Sequence, residues 1–263
     1  MYVHTTYAHS AYNISTKSDL VRYLHHAAFS PVLSTWTKAI DAGYHTTWTG
    51  LTLYLVHKHL PKALATAQGH LCQQQRNFRS TKITATPSID NNTPEMTTPS
   101  VPLTEPHVLT KMAFLKSIKV TRNISTDQTG RFPVTSSCVS KYLMVLYDYD
   151  SNAIITEPLK SRGEQELLRV YSTLHTHLSN RGITPQVQML DNECPDGLKQ
   201  VMQNSGVAFQ LVPLHLHCTN AAERSISTYK DHLIAGLSIC DPSFPLHLWD
   251  RLIPQETLTL NLL

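Results

Sequence analysis

The chain has 263 residues, a formal net charge of +3 and 41% hydrophobic residues, which is enough for one sizeable core and a smaller module. It contains no apolar run of about 18 residues, and its N-terminus lacks a basic start followed by an apolar stretch, so we expect neither a transmembrane segment nor a signal peptide. Five scattered cysteines without a CxxC pair argue against a disulfide framework.

Charge is distributed unevenly along the chain. Residues 1–122 carry 12 Lys and Arg against 5 Asp and Glu, whereas residues 123–263 carry 10 against 14. A basic N-terminal part suits the phosphate backbone of nucleic acid, and an acidic remainder suits a cation site. A solvated basic face without a ligand is the alternative interpretation of the same asymmetry.

Residues 1–81 are predicted to form a small helical module. Thr16 or Ser18 fits the N-cap of a first helix, and Ser30-Pro31 fits the N-cap and first position of a second helix that ends at Gly43. Four helices are predicted in this part, over residues 16–29, 31–42, 53–59 and within 63–79.

Four residues of this module are possible zinc ligands. They are His25, His26, His70 and Cys72. Structural zinc sites use two closely spaced ligand pairs, whereas two adjacent histidines on a helix point about 100° apart and His70-x-Cys72 has no partner cysteine. We therefore expect a module without a four-ligand zinc site.

Residues 82–107 are rich in Thr, Pro, Ser and Asn and poor in large apolar residues. This composition predicts a Thr/Pro-rich disordered linker. It separates the helical module from a third segment, 108–263.

The third segment alternates strands and helices. Extended structure is predicted up to Asp127, followed by a strand over 142–147, a hairpin partner over 153–157 and a helix over 164–180. Then come a strand over 186–190, a short helix around 198–202, a strand over 207–212 and a helix over 220–236. Three antiparallel strands followed by alternating helices and strands predict an α/β fold of the ribonuclease H type, a mixed five-stranded sheet with flanking helices.

Carboxylates stand at the positions where such a fold presents reactive groups. Asp191 follows the strand over 186–190, and Asp127 ends the first extended stretch. Glu223 lies off the apolar stripe of the last helix, which is formed by Ala222, Ile226, Tyr229, Leu233 and Leu237. Three carboxylates can hold two divalent cations, which assist displacement at a phosphodiester.

Several stretches resemble the integrase region of a copia-type long terminal repeat retrotransposon Pol polyprotein. They are STDQTGRFPV, KYLMVLYDYDSNAIITEPLKSR, GITPQVQMLDNEC and VPLHLHCTNAAERSISTYKDHLIAGL, and residues 1–81 resemble the pre-integrase segment. The resemblance implies a ribonuclease H-like DDE catalytic core that binds two Mg²⁺ or Mn²⁺ ions. It also implies 3′-end processing and strand transfer of element DNA into target DNA, a homo-oligomer, and action in the nucleus.

Carried over residue by residue, the resemblance assigns Asp127, Asp191 and Glu223 as the catalytic and metal-binding residues. Asp148 or Asp150 is a rival for the first acid. Residues on the same helix as Glu223 are the expected DNA contacts, with Lys230 seven positions further on the same flank. They are Asn220, Arg224, Ser227 and Lys230.

The resemblance is incomplete in four places. Asp191 and Glu223 lie 32 positions apart, which is shorter than usual for the family. Leu214 stands where a second proline is frequent, and Cys218 stands where a basic residue is usual. The zinc-binding HHCC arrangement is also incomplete, so we expect a fragment of a polyprotein or a decayed copy. A non-catalytic nucleic-acid-binding remnant and a ribonuclease H-like nuclease without joining activity remain alternatives.

Overall fold

The computed structural model describes residues 14–60, 63–70, 121–190, 194–212 and 221–263. The helices are α1 Lys17–Ala27, α2 Leu33–Asp41, α3 Leu53–His59, α4 Leu64–Gly69, α5 Glu164–Ser179, α6 Asp196–Asn204, α7 Ala221–Ile239 and α8 Ile253–Leu260. The strands are β1 Asn123–Gln128, β2 Tyr142–Asp148, β3 Ile154–Leu159, β4 Val187–Leu190 and β5 Ala208–Leu211, and a 3₁₀ helix covers Leu246–Arg251. Within the described ranges, no helix is both long and apolar enough to cross a membrane.

The first helix begins as its sequence predicts. Thr16 adopts an extended conformation, and its hydroxyl accepts a hydrogen bond from the backbone N–H of Asp19 at 3.1 Å. This contact satisfies a donor that has no partner within the helix, which is the usual function of an N-cap threonine.

The predicted start of the second helix is wrong. Helix α2 begins at Leu33 with Val32 as its N-cap, not at Ser30-Pro31. Phe29 and Ser30 instead have positive φ angles of 62° and 48°, whereas an N-cap needs extended backbone. Ser30 is fully buried, and its carbonyl accepts a hydrogen bond from the hydroxyl of Thr66 at 2.8 Å. Packing against α4 thus takes precedence over the local capping signal.

The five strands form one sheet in the order β3-β2-β1-β4-β5. Strands β1, β2 and β3 pair antiparallel, and β1, β4 and β5 pair parallel. The predicted fold class is confirmed: this is an α/β, ribonuclease H-like fold with a mixed sheet and flanking helices. The extended structure predicted over 108–120 lies outside the described residues.

Helices cover both faces of the sheet. Apolar residues of α5 pack with Ile124, Met144 and Leu146 on one face. Ile226 and Tyr229 of α7 share a cluster with residues of β2 on the other face, and the residues that follow α7 extend that cluster. Alternation along each strand therefore decides which helix a side chain meets.

The helical module packs against α7. The ring of Phe29 stacks on His232 with centroids 5.2 Å apart, and Gln255 donates to the carbonyl of Ala27 at 3.1 Å. Helix α4 also contacts α7. The division into a module over 1–81, a linker over 82–107 and a core over 108–263 remains a prediction, and the linker lies outside the described residues.

A carboxyl group is buried where α8 meets α7. Glu256 is 0% exposed, and neither of its carboxylate oxygens has a hydrogen-bond partner of ordinary geometry in the described part of the chain. Burial raises the pKa of Glu256 well above its usual range, and the nearby hydroxyl of Tyr229 offsets this only in part. The folded state therefore favours the protonated form of this carboxyl group.

This burial predicts that the free energy of unfolding depends less on pH in Glu256→Gln than in the wild type. In the unfolded wild type the carboxyl ionises near its ordinary pKa of 4.5, whereas in the folded state it keeps its proton to a higher pH. The folded state then binds more protons, so the wild-type free energy of unfolding falls as pH rises, by up to about 1.4 kcal/mol per pH unit. The amide in Glu256→Gln has the same shape but does not titrate, so this pH dependence is lost.

Urea unfolding at pH 5, 6 and 7 measures this difference. The stability of Glu256→Gln relative to the wild type should grow with each step in pH. Two stability curves that run parallel over this range would contradict a protonated Glu256.

Candidate active site

Asp127 lies near the end of the central strand β1. It is half-buried and pairs directly with Val145 of the antiparallel neighbour β2. Directly paired residues point to the same face of a sheet, and Val145 belongs to the apolar cluster that includes Ile226 of α7. One Asp127 oxygen accepts the backbone N–H of Gln128 at 2.7 Å. Asp127 therefore faces the side of the sheet that α7 covers.

Glu223 lies in the first turn of α7 and is exposed. Ala222, Ile226, Tyr229 and Leu233 are buried, which confirms the predicted apolar stripe. Glu223 lies off this stripe, as expected. The structure thus brings the helix that carries Glu223 onto the sheet face of Asp127.

Asp191 lies outside the described residues. Strand β4 ends at Leu190, the residue that precedes it, and β4 pairs parallel to β1 with Ser125 opposite Met189. Parallel strands end at the same edge of a sheet, where α/β folds bind their ligands. The predicted convergence of Asp127, Asp191 and Glu223 on a common pair of cations stays a prediction.

The rival acids stand elsewhere in the sheet. Asp148 pairs with Ile124, three residues before Asp127, and thus faces α5 instead of α7. It is 1% exposed and accepts hydrogen bonds from the backbone and hydroxyl of Ser151. Asp150 accepts the backbone N–H of Arg122 at 2.6 Å. Asp148 thus holds the β2–β3 turn and Asp150 holds the chain that precedes β1, and the choice of Asp127 as the first acid stays a prediction.

The expected DNA contacts on α7 are partly described. Arg224 is exposed, and Ser227 and Lys230 are half-buried. Seven residues are close to two turns of an α-helix, so Glu223 and Lys230 lie on the same flank, as predicted. Asn220 lies outside the described residues, as do Leu214 and Cys218.

A cavity of about 220 Å³ lies at the ends of β1 and β4. Asp127, Leu190, Cys194 and Arg162 are among the residues that line it. Burial raises the pKa of the Cys194 thiol, so the thiol stays protonated and is a poor ligand for a cation. Arg162 was not predicted from the sequence, since nothing local distinguishes it from other basic residues that precede a helix.

The carboxylates at this edge are oxygen ligands of the type that Mg²⁺ and Mn²⁺ prefer. In the described ranges, no three His, Cys, Asp or Glu side chains come together as a metal-binding group, and the predicted set includes Asp191, which is outside those ranges.

The structure describes three of the four possible zinc ligands of the helical module. A ring nitrogen of His25 lies 3.0 Å from the carbonyl of Pro31, and burial lowers the pKa of His25. Burial also lowers the pKa of His70. Cys72 lies outside the described residues, so a module without zinc stays a prediction.

Comparison with known proteins gives a weak similarity to solved structures. No protein-family model matches the chain, and no curated protein matches it. Among solved structures, a chain of the cryo-EM structure of the simian T-cell lymphotropic virus intasome in complex with PP2A regulatory subunit B56 gamma is similar at 16% identity and a TM-score of 0.39. The match covers 54% of this chain and 47% of that chain, so this chain spans about half the length of its structural neighbour.

Proposed function

We propose that this chain carries the catalytic core of a DDE-type integrase, a metal-dependent polynucleotidyl transferase that acts on DNA. One observation supports the proposal most directly. Asp127 lies one residue before the end of the central strand, on the face that α7 covers. Glu223 is in the first turn of α7, and the parallel neighbour of β1 ends one residue before Asp191. In this proposal, three carboxylates from three separate elements come together at one edge of the sheet.

In this proposal Asp127, Asp191 and Glu223 hold two Mg²⁺ or Mn²⁺ ions. When bound, such ions neutralise charge on the phosphoryl oxygens and activate the attacking oxygen. Asp127 is oriented by the N–H of Gln128. Glu223 is oriented by the buried stripe of α7, which fixes the rotation of that helix.

The finer assignments belong to the same proposal. Asn220, Arg224, Ser227 and Lys230 contact the DNA backbone beside the metal site. Residues 1–81 are the pre-integrase module of a copia-type element and hold no zinc. The protein acts in the nucleus as a homo-oligomer on element ends and target DNA.

An oligonucleotide cleavage and joining assay in Mn²⁺ tests the function. The wild type should shorten the 3′ end of a duplex that mimics an element end and join it to a second duplex. Asp191→Asn should abolish both reactions and leave DNA binding without metal nearly unchanged, because it removes a metal ligand and no DNA contact.

The products separate this proposal from its alternatives. Cleavage without joined products would indicate a ribonuclease H-like nuclease. DNA binding without either product, in wild type and variant alike, would indicate a non-catalytic remnant.

A further inference from the structure

A basic side chain lies near the ends of β1 and β4, at a position that the sequence did not predict. Arg162 precedes α5 and lines the cavity that Asp127 also lines. The side chain is exposed. It is therefore accessible to a large ligand that approaches the ends of β1 and β4.

The guanidinium group is held in place by contacts on the core. Its Nη2 donates to the carbonyl of Thr129 at 3.1 Å, and the group lies over the ring of Tyr142, 5.1 Å from the ring centroid. Thr129 is itself fixed, because its N–H donates to the carbonyl of Leu143 at 2.8 Å and its hydroxyl accepts the N–H of Leu143 at 2.9 Å. A chain of fixed contacts thus leads from the sheet to Arg162.

The segment that carries Arg162 is also anchored on its other side. Glu164 accepts the backbone N–H of Gly197 at 2.8 Å, in the first turn of α6. The short segment from Arg162 to Glu164 therefore links the chain that follows β1 to the helix that follows β4. A site residue held on rigid neighbours loses little freedom when it binds a ligand.

Among the described residues, no carboxylate forms an ion pair with Arg162. In the described part of the chain, the close ion pairs are made by Arg169 and Lys199, and Arg162 contacts a carbonyl and an aromatic ring instead. Arg169, seven residues further on, is bound by Glu166 and Glu157. A guanidinium group with remaining N–H donors matches the geometry of a phosphate group.

We propose that Arg162 binds a phosphate of the DNA strand next to the phosphate that reacts at the acid site. This inference rests on the proposed function, which brings DNA to that edge of the sheet. Thr129 is two residues from Asp127, a span of at most about 7 Å, while the phosphates of one B-DNA strand follow each other every ~3.4 Å along its axis. Arg162 thus contacts a phosphate within a few nucleotide steps of the reacting one.

A salt titration of DNA binding tests this contact. Wild type, Arg162→Ala, Arg162→Lys and Arg181→Ala are titrated with a fluorescent duplex oligonucleotide in EDTA between 50 and 200 mM salt, roughly the range over which phosphate contacts are resolved. Arg181 is the matched control, because it is also exposed, also donates to a single carbonyl and lies just beyond the other end of α5. The readout is the slope of log affinity against log salt.

Arg162→Ala should reduce the magnitude of this slope by about 0.9. Over a fourfold rise in salt, the factor by which the DNA affinity falls should therefore be about threefold smaller in this variant than in the wild type. Arg162→Lys should keep the wild-type slope because it keeps the charge, and Arg181→Ala should keep it because that residue is remote. If Arg162→Ala unfolds at the assay temperature, Arg162→Gln removes the charge and keeps an N–H donor, and should reduce the slope equally.

An unchanged slope in the neutral Arg162 variants overturns the inference, as does an equal change in Arg181→Ala or a wild type that does not bind DNA. The titration contains no metal and measures no chemistry. A wild type that shows the Arg162 effect but neither cleaves nor joins DNA contradicts the proposed function alone. An active wild type without the Arg162 effect contradicts the inference alone.

Discussion

Replacing Asp127 by asparagine is expected to lower the rate of Mn²⁺-dependent cleavage and joining by about 10²–10³-fold, since the loss of a charged metal ligand removes roughly 3–4 kcal/mol of transition-state stabilisation. The amide keeps an oxygen that can accept the N–H of Gln128, so the local backbone has no reason to move. Single-turnover rates with the oligonucleotide substrate, together with thermal unfolding of the same preparations, measure the effect.

Two aspartates of the β2–β3 turn supply the controls. Asp150→Asn removes a charge at an exposed position and should leave the rate unchanged. Asp148→Asn removes a buried charge that accepts hydrogen bonds from Ser151 and should reduce stability, with an unchanged rate per folded molecule. An inactive Asp148→Asn that unfolds at the wild-type temperature, beside an active Asp127→Asn, would instead identify Asp148 as the first acid.

Local periodicity was sufficient to predict most of the described elements. Helix α3 spans Leu53–His59 as predicted, and α5 ends one residue before the predicted end at 180. The strand over 142–147 is extended by one residue in β2. These segments bury a regular stripe or a continuous apolar run, so tertiary packing and local preference favour the same structure.

Features that depend on distant contacts could not be predicted. Arg162 meets Thr129 and Glu164 meets Gly197, each across 33 residues of chain. The left-handed turn at Phe29 and Ser30 depends on α4 and α7, and no pattern near Ser30 reports it. Asp127 and Glu223 could be placed on their elements because each lies at the end or on the flank of a periodic segment, whereas the distance between them depends on the whole fold.

The contact between the helical module and α7 centres on a glycine. Gly236 lies within α7 and is buried, and a Cβ atom at this position would overlap the ring of Phe29. That ring stacks on His232. Burial lowers the pKa of His232 to about 3, so the imidazole is neutral at physiological pH and suits an apolar stack. The absence of a side chain at residue 236 thus makes room for Phe29.

Gly236→Ala is therefore expected to destabilise the protein by up to about 2 kcal/mol, even though alanine is the better helix former. Helix propensity alone would stabilise an interior position by ~1 kcal/mol, whereas an added methyl group in a packed core costs typically 1–3 kcal/mol. Here the overlap is with ring atoms of Phe29 close to its own backbone, which cannot swing aside as the end of a flexible chain can.

Urea unfolding of the full chain measures the sign of the change in stability, and Gly130→Ala is the control because a Cβ atom there meets no neighbour. A double-mutant cycle with Phe29→Ala should show a coupling energy of about 1–3 kcal/mol. In the double variant, the methyl group added at residue 236 enters the space that the Phe29 ring occupied. A Gly236→Ala variant more stable than the wild type would mean that the Phe29 ring does not occupy this position.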